Sequence, residues 1–187
     1  MLYLASSSPR RAELLTQLGI DYQVAVADVP EIRSVDETAL AYGYRVSFAK
    51  AEAAAQQLPA TAWVLSADTE VIVDDETLGK PRNEAHFRQM MQRLSGKTHA
   101  VQTVVCLRCA DRCWQNHQLS LLTFRALSDA ELMAYWSSGE PLGKAGGYAI
   151  QGKAQAWISQ FQGSYSGVMG LPLFETDQLL KLSGYLA

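Results

Sequence analysis

The sequence predicts an α/β fold, because short apolar runs with strand character alternate along the chain with segments of helical periodicity. Hydrophobic residues make up 48% of the 187 residues, which is enough to bury a sizeable core and excludes a mainly disordered chain. The formal net charge of -3 leaves no broad basic surface for a nucleic-acid backbone. Any binding site for an anion must therefore be built from a few local cations.

No low-complexity linker or internal repeat divides the chain, and residues 1–187 are predicted to form one large domain or two lobes of one domain. The apolar run near the N-terminus is too short for a signal peptide or a membrane span, and no basic residue precedes it. We therefore expect a cytoplasmic protein that binds neither membranes nor nucleic acid.

The first predicted strand, turn and helix have the features of an anion site. Residues 2–5 form a short apolar run that suits a buried strand. Ser8 is predicted to cap the following helix, and Pro9 suits its first position, where no amide partner is lost. Arg10 and Arg11 lie in the first turn, where their charges oppose the helix dipole unless an anion sits between them. A solvated basic first turn is the alternative interpretation.

A second strand is predicted at residues 21–26, followed by a loop of mixed charge that contains Glu31. The Glu31 carboxylate is either simply solvated or a ligand for a hard cation. A helix with capping-box spacing follows from Ser34 to about residue 58. Lys50 lies on this helix, where ordinary surface charge is the alternative to a functional role. The inward stripe of the helix is predicted to contain Leu40, Tyr44, Phe48 and Ala51.

Residues 63–73 indicate an apolar strand with polar residues in its middle. Asp68 and Glu70 are two positions apart and therefore share a face of this strand. A carboxylate in a buried strand costs free energy unless a metal, a base or a water pairs it. Asp68 is thus either functional or a hydrogen-bonded structural residue. Lys80 precedes a proline that holds it extended, and it is a candidate phosphate contact.

The second half of the chain continues the alternation of helices and strands. An asparagine and a serine are predicted to cap the N-termini of two helices. The segment between these helices has an alternating pattern rich in β-branched residues, which predicts a strand. The predicted elements are a helix from Asn83 to Leu94 with Phe87, Met90 and Met91 inward, strands at residues 101–108 and 119–127, a helix that Ser128 caps, and a closing helix at residues 175–182.

The three cysteines, Cys106, Cys109 and Cys113, lie near His117. An odd number of cysteines argues against a disulfide framework. A structural zinc site is disfavoured, because closed zinc sites usually take paired ligands from two separated segments. We expect Cys106 on a strand, with the other two cysteines flanking a polar turn.

Residues 140–152 contain four glycines and are predicted to form a loop whose backbone can approach a ligand closely. Lys144 could contact phosphate there, and Gln151 could hydrogen-bond the edge of a base. The spacing fits neither a P-loop nor a dinucleotide-binding fingerprint. A merely flexible hairpin is the alternative.

Six motifs occur in the order that is characteristic of the Maf family, and they span nearly the whole chain. The sequence therefore resembles this family of nucleoside triphosphate pyrophosphatases. Six motifs in the same order make the resemblance far more specific than any one motif would. The motifs are Ser6-x-Ser8-Pro9-Arg10-Arg11, Ala67-Asp68-Thr69, Gly79-Lys80-Pro81, Leu94-Ser95-Gly96-x-x-His99, Lys144-Ala145-Gly146-x-Tyr148-x-Ile150-Gln151-Gly152 and Gly170-Leu171-Pro172.

The resemblance implies an elongated α/β fold of the inosine-triphosphatase type, with a mixed sheet and a central cleft between two lobes. It implies cleavage of a nucleoside triphosphate to the monophosphate and pyrophosphate. The chain is most similar to the dTTP/UTP branch, because Arg11, Thr69 and Gln151 match the residues of that branch at its three distinguishing positions. Modified pyrimidine triphosphates are further candidate substrates. Ser66 stands where the family has glycine.

The same resemblance implies a role for each candidate residue. Asp68 resembles the general base, with Lys50 and Lys80 beside it as catalytic residues that contact phosphate. Glu31 and Asp68 resemble the carboxylates that hold a divalent cation, Mg²⁺ or Mn²⁺. The residues that resemble substrate contacts are Ser8 and Arg10 for phosphate, and Arg11, Thr69 and Gln151 for the base. Lys144 of the glycine-rich loop is a further candidate substrate contact. The family also makes a homodimer an expectation, and a nucleotide-sensing regulator of cell division without significant turnover is the competing function.

Overall fold

A computed structural model describes residues 1–186, which contain seven strands and six helices. The strands are β1 (Leu2–Leu4), β2 (Tyr22–Val24), β3 (Trp63–Val73), β4 (Glu76–Leu78), β5 (Thr98–Cys109), β6 (Arg112–Phe124) and β7 (Ile158–Gln162). The helices are α1 (Pro9–Gln17), α2 (Ala39–Ala55), α3 (Glu84–Leu94), α4 (Asp129–Ser137), α5 (Tyr165–Met169) and α6 (Leu173–Leu182). Among residues 1–186, no helix has both the length and the hydropathy that a membrane span requires.

The strands form one mixed sheet in the order β2-β1-β3-β5-β6-β7, and the short β4 pairs with β3. β1 is parallel to both of its neighbours, and every other pairing is antiparallel. The parallel part follows from the strand–helix–strand connection through α1, and the antiparallel part comes from the long β5–β6 hairpin. The predicted α/β class with a mixed sheet is confirmed.

β3 joins the two largest apolar clusters of the core. Its first half contributes Leu65 and Ala67 to a cluster with β1, α1 and α6. Its second half contributes Val71 and Val73 to a cluster with α3 and α4. The polar residues 68–70 lie between the two clusters. A single strand therefore places its polar middle where two apolar cores meet.

The structure corrects the prediction for α2. The helix begins at Ala39, where the Thr38 side chain accepts a hydrogen bond from the Ala41 amide, and not at the predicted Ser34. Leu40 and Phe48 of the predicted inward stripe are 38% and 41% exposed. Small side chains face the sheet instead: a Cβ on Gly43 would lie 2.8 Å from a methyl of Val104. The buried positions of α2 are Tyr42, Gly43, Val46, Ser47, Ala51 and Ala54.

Other predictions are confirmed in part. β3, α3 and α4 begin where predicted, and Asn83 and Ser128 accept the predicted capping hydrogen bonds. Ser8 occupies the cap position of α1, but its side chain makes no capping hydrogen bond there. The hairpin strands are longer than predicted, since only Ala110 and Asp111 separate them. β4, β7 and α5 were not predicted.

The glycine-rich loop folds against the core and is not a freely exposed hairpin. Two short 3-10 turns, Ala145–Gly147 and Lys153–Trp157, bracket its second half. Residues 148–150 between them are buried. The Gly146 amide donates to the Gly79 carbonyl at 3.0 Å, which ties the loop to the segment that contains Lys80.

Replacing Gly146 with alanine is expected to destabilise the protein by about 3 kcal/mol, because the residue has positive φ and a Cβ would overlap the core. Its φ is 67°, and the added Cβ would lie 2.7 Å from a methyl of Val71. Gly143→Ala is the matched control, since Gly143 has φ 70° with no atom within 4 Å of the Cβ position. Urea unfolding should show a loss of only about 1 kcal/mol for the control. Equal losses would contradict the packing argument.

Candidate active site

All ten residues singled out in the sequence line one cleft of about 840 Å³. The cleft lies where the β1–α1 turn, the loop after β2, the middle of β3 and the glycine-rich loop meet. The structure thus brings together side chains that are up to 143 residues apart, from Ser8 to Gln151. The ten residues are Ser8, Arg10, Arg11, Glu31, Lys50, Asp68, Thr69, Lys80, Lys144 and Gln151.

Lys50 joins the two carboxylates that were predicted to be functional. Its Nζ lies 2.7 Å from Oδ1 of Asp68 and 2.6 Å from Oε1 of Glu31. Lys80 reaches the other oxygen of Glu31 at 3.2 Å. The side chains of Asp68 and Lys50 are only 6% and 13% exposed. The four residues form one chain of alternating charge, and Lys50 is not an ordinary surface lysine.

The two glutamates of the cleft have opposite electrostatic environments. Burial alone would raise the pKa of Glu31, but the hydrogen bonds and charges of Lys50 and Lys80 outweigh it and lower this pKa. Burial, together with the charges of Asp68 and Glu31, raises the pKa of Glu70 to about 8. Glu31 is therefore ionised at neutral pH, whereas Glu70 ionises only at a higher pH than an ordinary glutamate.

Arg11 and Thr69 form one hydrogen-bonded unit at the floor of the cleft. The Arg11 guanidinium donates to Thr69 Oγ1 at 3.1 Å and to the Gly170 carbonyl at 2.7 Å. Thr103 of β5 donates to Thr69 Oγ1 at 2.9 Å. These bonds fix the position of both side chains. Burial lowers the pKa of Arg11.

Arg10 and Lys144 supply positive charge to the cleft without a carboxylate partner. Neither side chain makes an ion pair with any residue between 1 and 186. Burial lowers the pKa of both groups, and the positive charge of Arg10 lowers that of Lys144 further. The positive charges of Arg10 and Lys144 repel each other, and an anionic ligand bound between them would relieve this repulsion.

Two tyrosines and Glu70 also line the cleft and were not predicted as site residues. Tyr148 is buried, and its hydroxyl lies 2.8 Å from Nε2 of His99, which links two of the sequence motifs. Tyr42 comes from α2. The two-residue spacing from Asp68 was the available signal for Glu70, whereas nothing in the sequence placed Tyr42 in the site.

The residues present fit a divalent cation that completes its shell with phosphate and water. Oδ2 of Asp68 is buried and has no hydrogen-bond partner among residues 1–186. The same residues contain no cluster of three or more His, Cys, Asp or Glu side chains that could hold a metal by themselves. Mg²⁺ is typically held by one or two carboxylates plus substrate phosphates, which matches Asp68 and Glu31. The cysteines are not part of any such cluster.

The fold and the cleft define an α/β protein in which several cationic side chains surround a pair of carboxylates. The chain belongs to the Maf family, because the family model described as Maf-like protein matches residues 1–183. It is 47% identical to the dTTP/UTP pyrophosphatase of Methylococcus capsulatus, over 98% of this chain and 91% of that protein. The enzyme of the same name from Xanthomonas euvesicatoria is 48% identical over 98% of this chain and 99% of its own length.

A relative from Salmonella typhimurium, also named dTTP/UTP pyrophosphatase, is 45% identical over 96% of this chain and 91% of that protein. Among solved structures, the Staphylococcus aureus Ham1 protein is similar over 66% of this chain and 71% of that chain, with a TM-score of 0.49 and 16% identity.

Proposed function

We propose that this protein hydrolyses dTTP and UTP to the nucleoside monophosphate and pyrophosphate. The observation that carries the proposal is that five predicted cationic residues converge with the carboxylates of Glu31 and Asp68 in one cleft. The similarity of this chain, over nearly its whole length, to relatives named dTTP/UTP pyrophosphatase supports the choice of substrate. We also propose that the enzyme acts on free nucleotides in the cytoplasm. Modified pyrimidine triphosphates would be further substrates.

Asp68 would act as the general base that takes a proton from the attacking water. The ion pair with Lys50 holds its carboxylate in place for this role. The water would attack the α-phosphorus, and pyrophosphate would leave. Because the transition state spreads negative charge over the phosphate oxygens, positioned cations contribute most of the remaining stabilisation.

The phosphate chain would contact Ser8, Arg10, Lys80 and Lys144. Ser8 and Arg10 lie at the start of α1, where the helix amides also attract anions. Lys80 follows β4, and Lys144 lies in the glycine-rich loop. The hydrogen bond from the Gly146 amide to the Gly79 carbonyl holds these two segments together. This arrangement suits a ligand with several negative charges in a row.

A divalent cation, Mg²⁺ or Mn²⁺, would be held by Asp68 and Glu31 together with substrate phosphates. Such a cation neutralises phosphate charge and polarises phosphoryl oxygens. Oδ2 of Asp68, which has no hydrogen-bond partner among residues 1–186, would be a ligand for it.

Arg11, Thr69 and Gln151 would select the pyrimidine base. We expect Gln151→Ala to lower the preference for UTP over CTP about tenfold, because it removes a hydrogen bond worth about 1.4 kcal/mol. The measurement is kcat/KM for both nucleotides. Gln155→Ala is the matched control, since Gln155 is an exposed glutamine of the 3-10 turn that follows the loop and does not line the cleft. An unchanged preference in Gln151→Ala would contradict this assignment.

A pyrophosphate-release assay with dTTP, UTP, CTP and 7-methyl-GTP, each with Mg²⁺ or Mn²⁺, tests the proposed function. We expect turnover of dTTP and UTP. Release from 7-methyl-GTP alone would overturn the substrate assignment. Binding without release from any triphosphate would favour the competing function, a sensor of nucleotides.

A further inference from the structure

Two of the three cysteines contact each other outside the cleft. Sγ of Cys106 on β5 and Sγ of Cys113 on β6 are 3.3 Å apart. Cys106 pairs in register with Gln115, and Cys113 pairs with Arg108, so the two cysteines are diagonal neighbours on the same face of the hairpin. Neither cysteine lines the cleft described above.

The two thiols have different surroundings. Cys106 is fully buried in a small apolar cluster with Ala51 and Val64, whereas Cys113 is exposed. Contact with Cys106 and the charge of Arg108 lower the pKa of Cys113. Contact with Cys113 and burial raise the pKa of Cys106. The exposed sulfur therefore has the thiolate character that reacts with oxidants, and the buried thiol lies against it.

We propose that Cys113 and Cys106 form an oxidation site that hydrogen peroxide converts to an intrachain disulfide. The Cys113 thiolate attacks one peroxide oxygen, the O–O bond breaks, and the released hydroxide takes up a proton to become water. Sulfur of Cys106 then attacks the Cys113 sulfenic acid, the S–O bond breaks, and a second water leaves with the Cys106 proton. Two thiols are oxidised and one peroxide is reduced to two waters.

The geometry favours this pair over any bond to Cys109. A disulfide has its sulfurs about 2.05 Å apart, so the sulfurs of Cys106 and Cys113 need to approach by only about 1.2 Å. Cys109 is an odd number of strand positions from Cys106 and therefore points to the other face of β5. Its Sγ lies 3.8 Å from the Thr61 carbonyl.

The test treats the reduced protein with hydrogen peroxide, alkylates the remaining thiols and maps the peptides by mass spectrometry. We expect a mass loss of about 2 Da, a Cys106–Cys113 linkage and an alkylated Cys109. Dithiothreitol should reverse the change. In Cys106→Ser the disulfide cannot close, so dimedone should trap a sulfenic acid on Cys113. Cys109→Ser is the matched control and should form the same disulfide as the unsubstituted protein.

Cys113→Ser keeps the test decisive if Cys106→Ser does not fold, because residue 113 is exposed. In this variant Cys106 should stay reduced at the same peroxide exposure. The proposal is overturned if Cys113 in the unsubstituted protein proceeds to sulfinic acid without a disulfide. It is equally overturned if Cys109 is the partner, or if Cys113 reacts no faster than Cys109.

Discussion

Asp68→Asn is expected to lower kcat for UTP by about a hundred- to ten-thousand-fold, the range for loss of a general base. The substitution keeps the shape of the side chain and its hydrogen bond to Lys50, but an amide cannot take up the proton. Because Lys50 retains Glu31 as a partner at 2.6 Å, the cleft should keep its geometry. Initial rates of pyrophosphate release are the measurement.

The binding of α,β-imido-UTP separates catalysis from folding. Asp68→Asn should bind this analogue within about tenfold of the unsubstituted protein, which corresponds to about 1.4 kcal/mol. Asp21→Asn is the matched control, because Asp21 is exposed and does not line the cleft, and it should leave kcat unchanged. Retention of near-normal kcat in Asp68→Asn would exclude Asp68 as the base.

Lys50→Met is expected to reduce the free energy of unfolding by about 3 kcal/mol, the lower end for breaking a buried ion pair. Methionine keeps much of the apolar length of the side chain and removes the charge. Asp68, only 6% exposed, would then lose its cation while facing the ionised Glu31. Urea unfolding measures the loss, and turnover should fall as well.

Two further variants show whether burial causes this loss. Lys181→Met removes the lysine of an exposed pair with Asp177 at 2.7 Å and should cost about 0.5 kcal/mol or less. The double variant Lys50→Met/Asp68→Asn should regain part of the lost stability, because the uncompensated carboxylate is gone. Equal losses in Lys50→Met and Lys181→Met would show that the Lys50 pair has no special energetic role.

Much of the site could be predicted because several of its residues are energetically unfavourable in their local secondary structure. A carboxylate in the middle of an apolar strand indicated Asp68, and two arginines in a first helical turn indicated Arg10 and Arg11. The ordered motifs supplied the remaining residues through resemblance to a family. The structure adds that these residues line one cleft, which no local pattern establishes.

The errors also have physical causes. α2 packs on the sheet through small residues around Gly43, so its large apolar residues indicated the wrong face. β7 is mostly exposed and polar, and therefore lacks the alternation that predicts a strand. The contact between Cys106 and Cys113 depends on the register of β5 and β6, which sequence spacing does not determine.

Hydrolysis of UTP in ¹⁸O-enriched water, with Mg²⁺ present, tests the central claim most directly. If a water held by Asp68 attacks the α-phosphorus, mass spectrometry will find the label in UMP, and the pyrophosphate will be unlabelled. Label in pyrophosphate, or release of UDP and inorganic phosphate, would contradict the account.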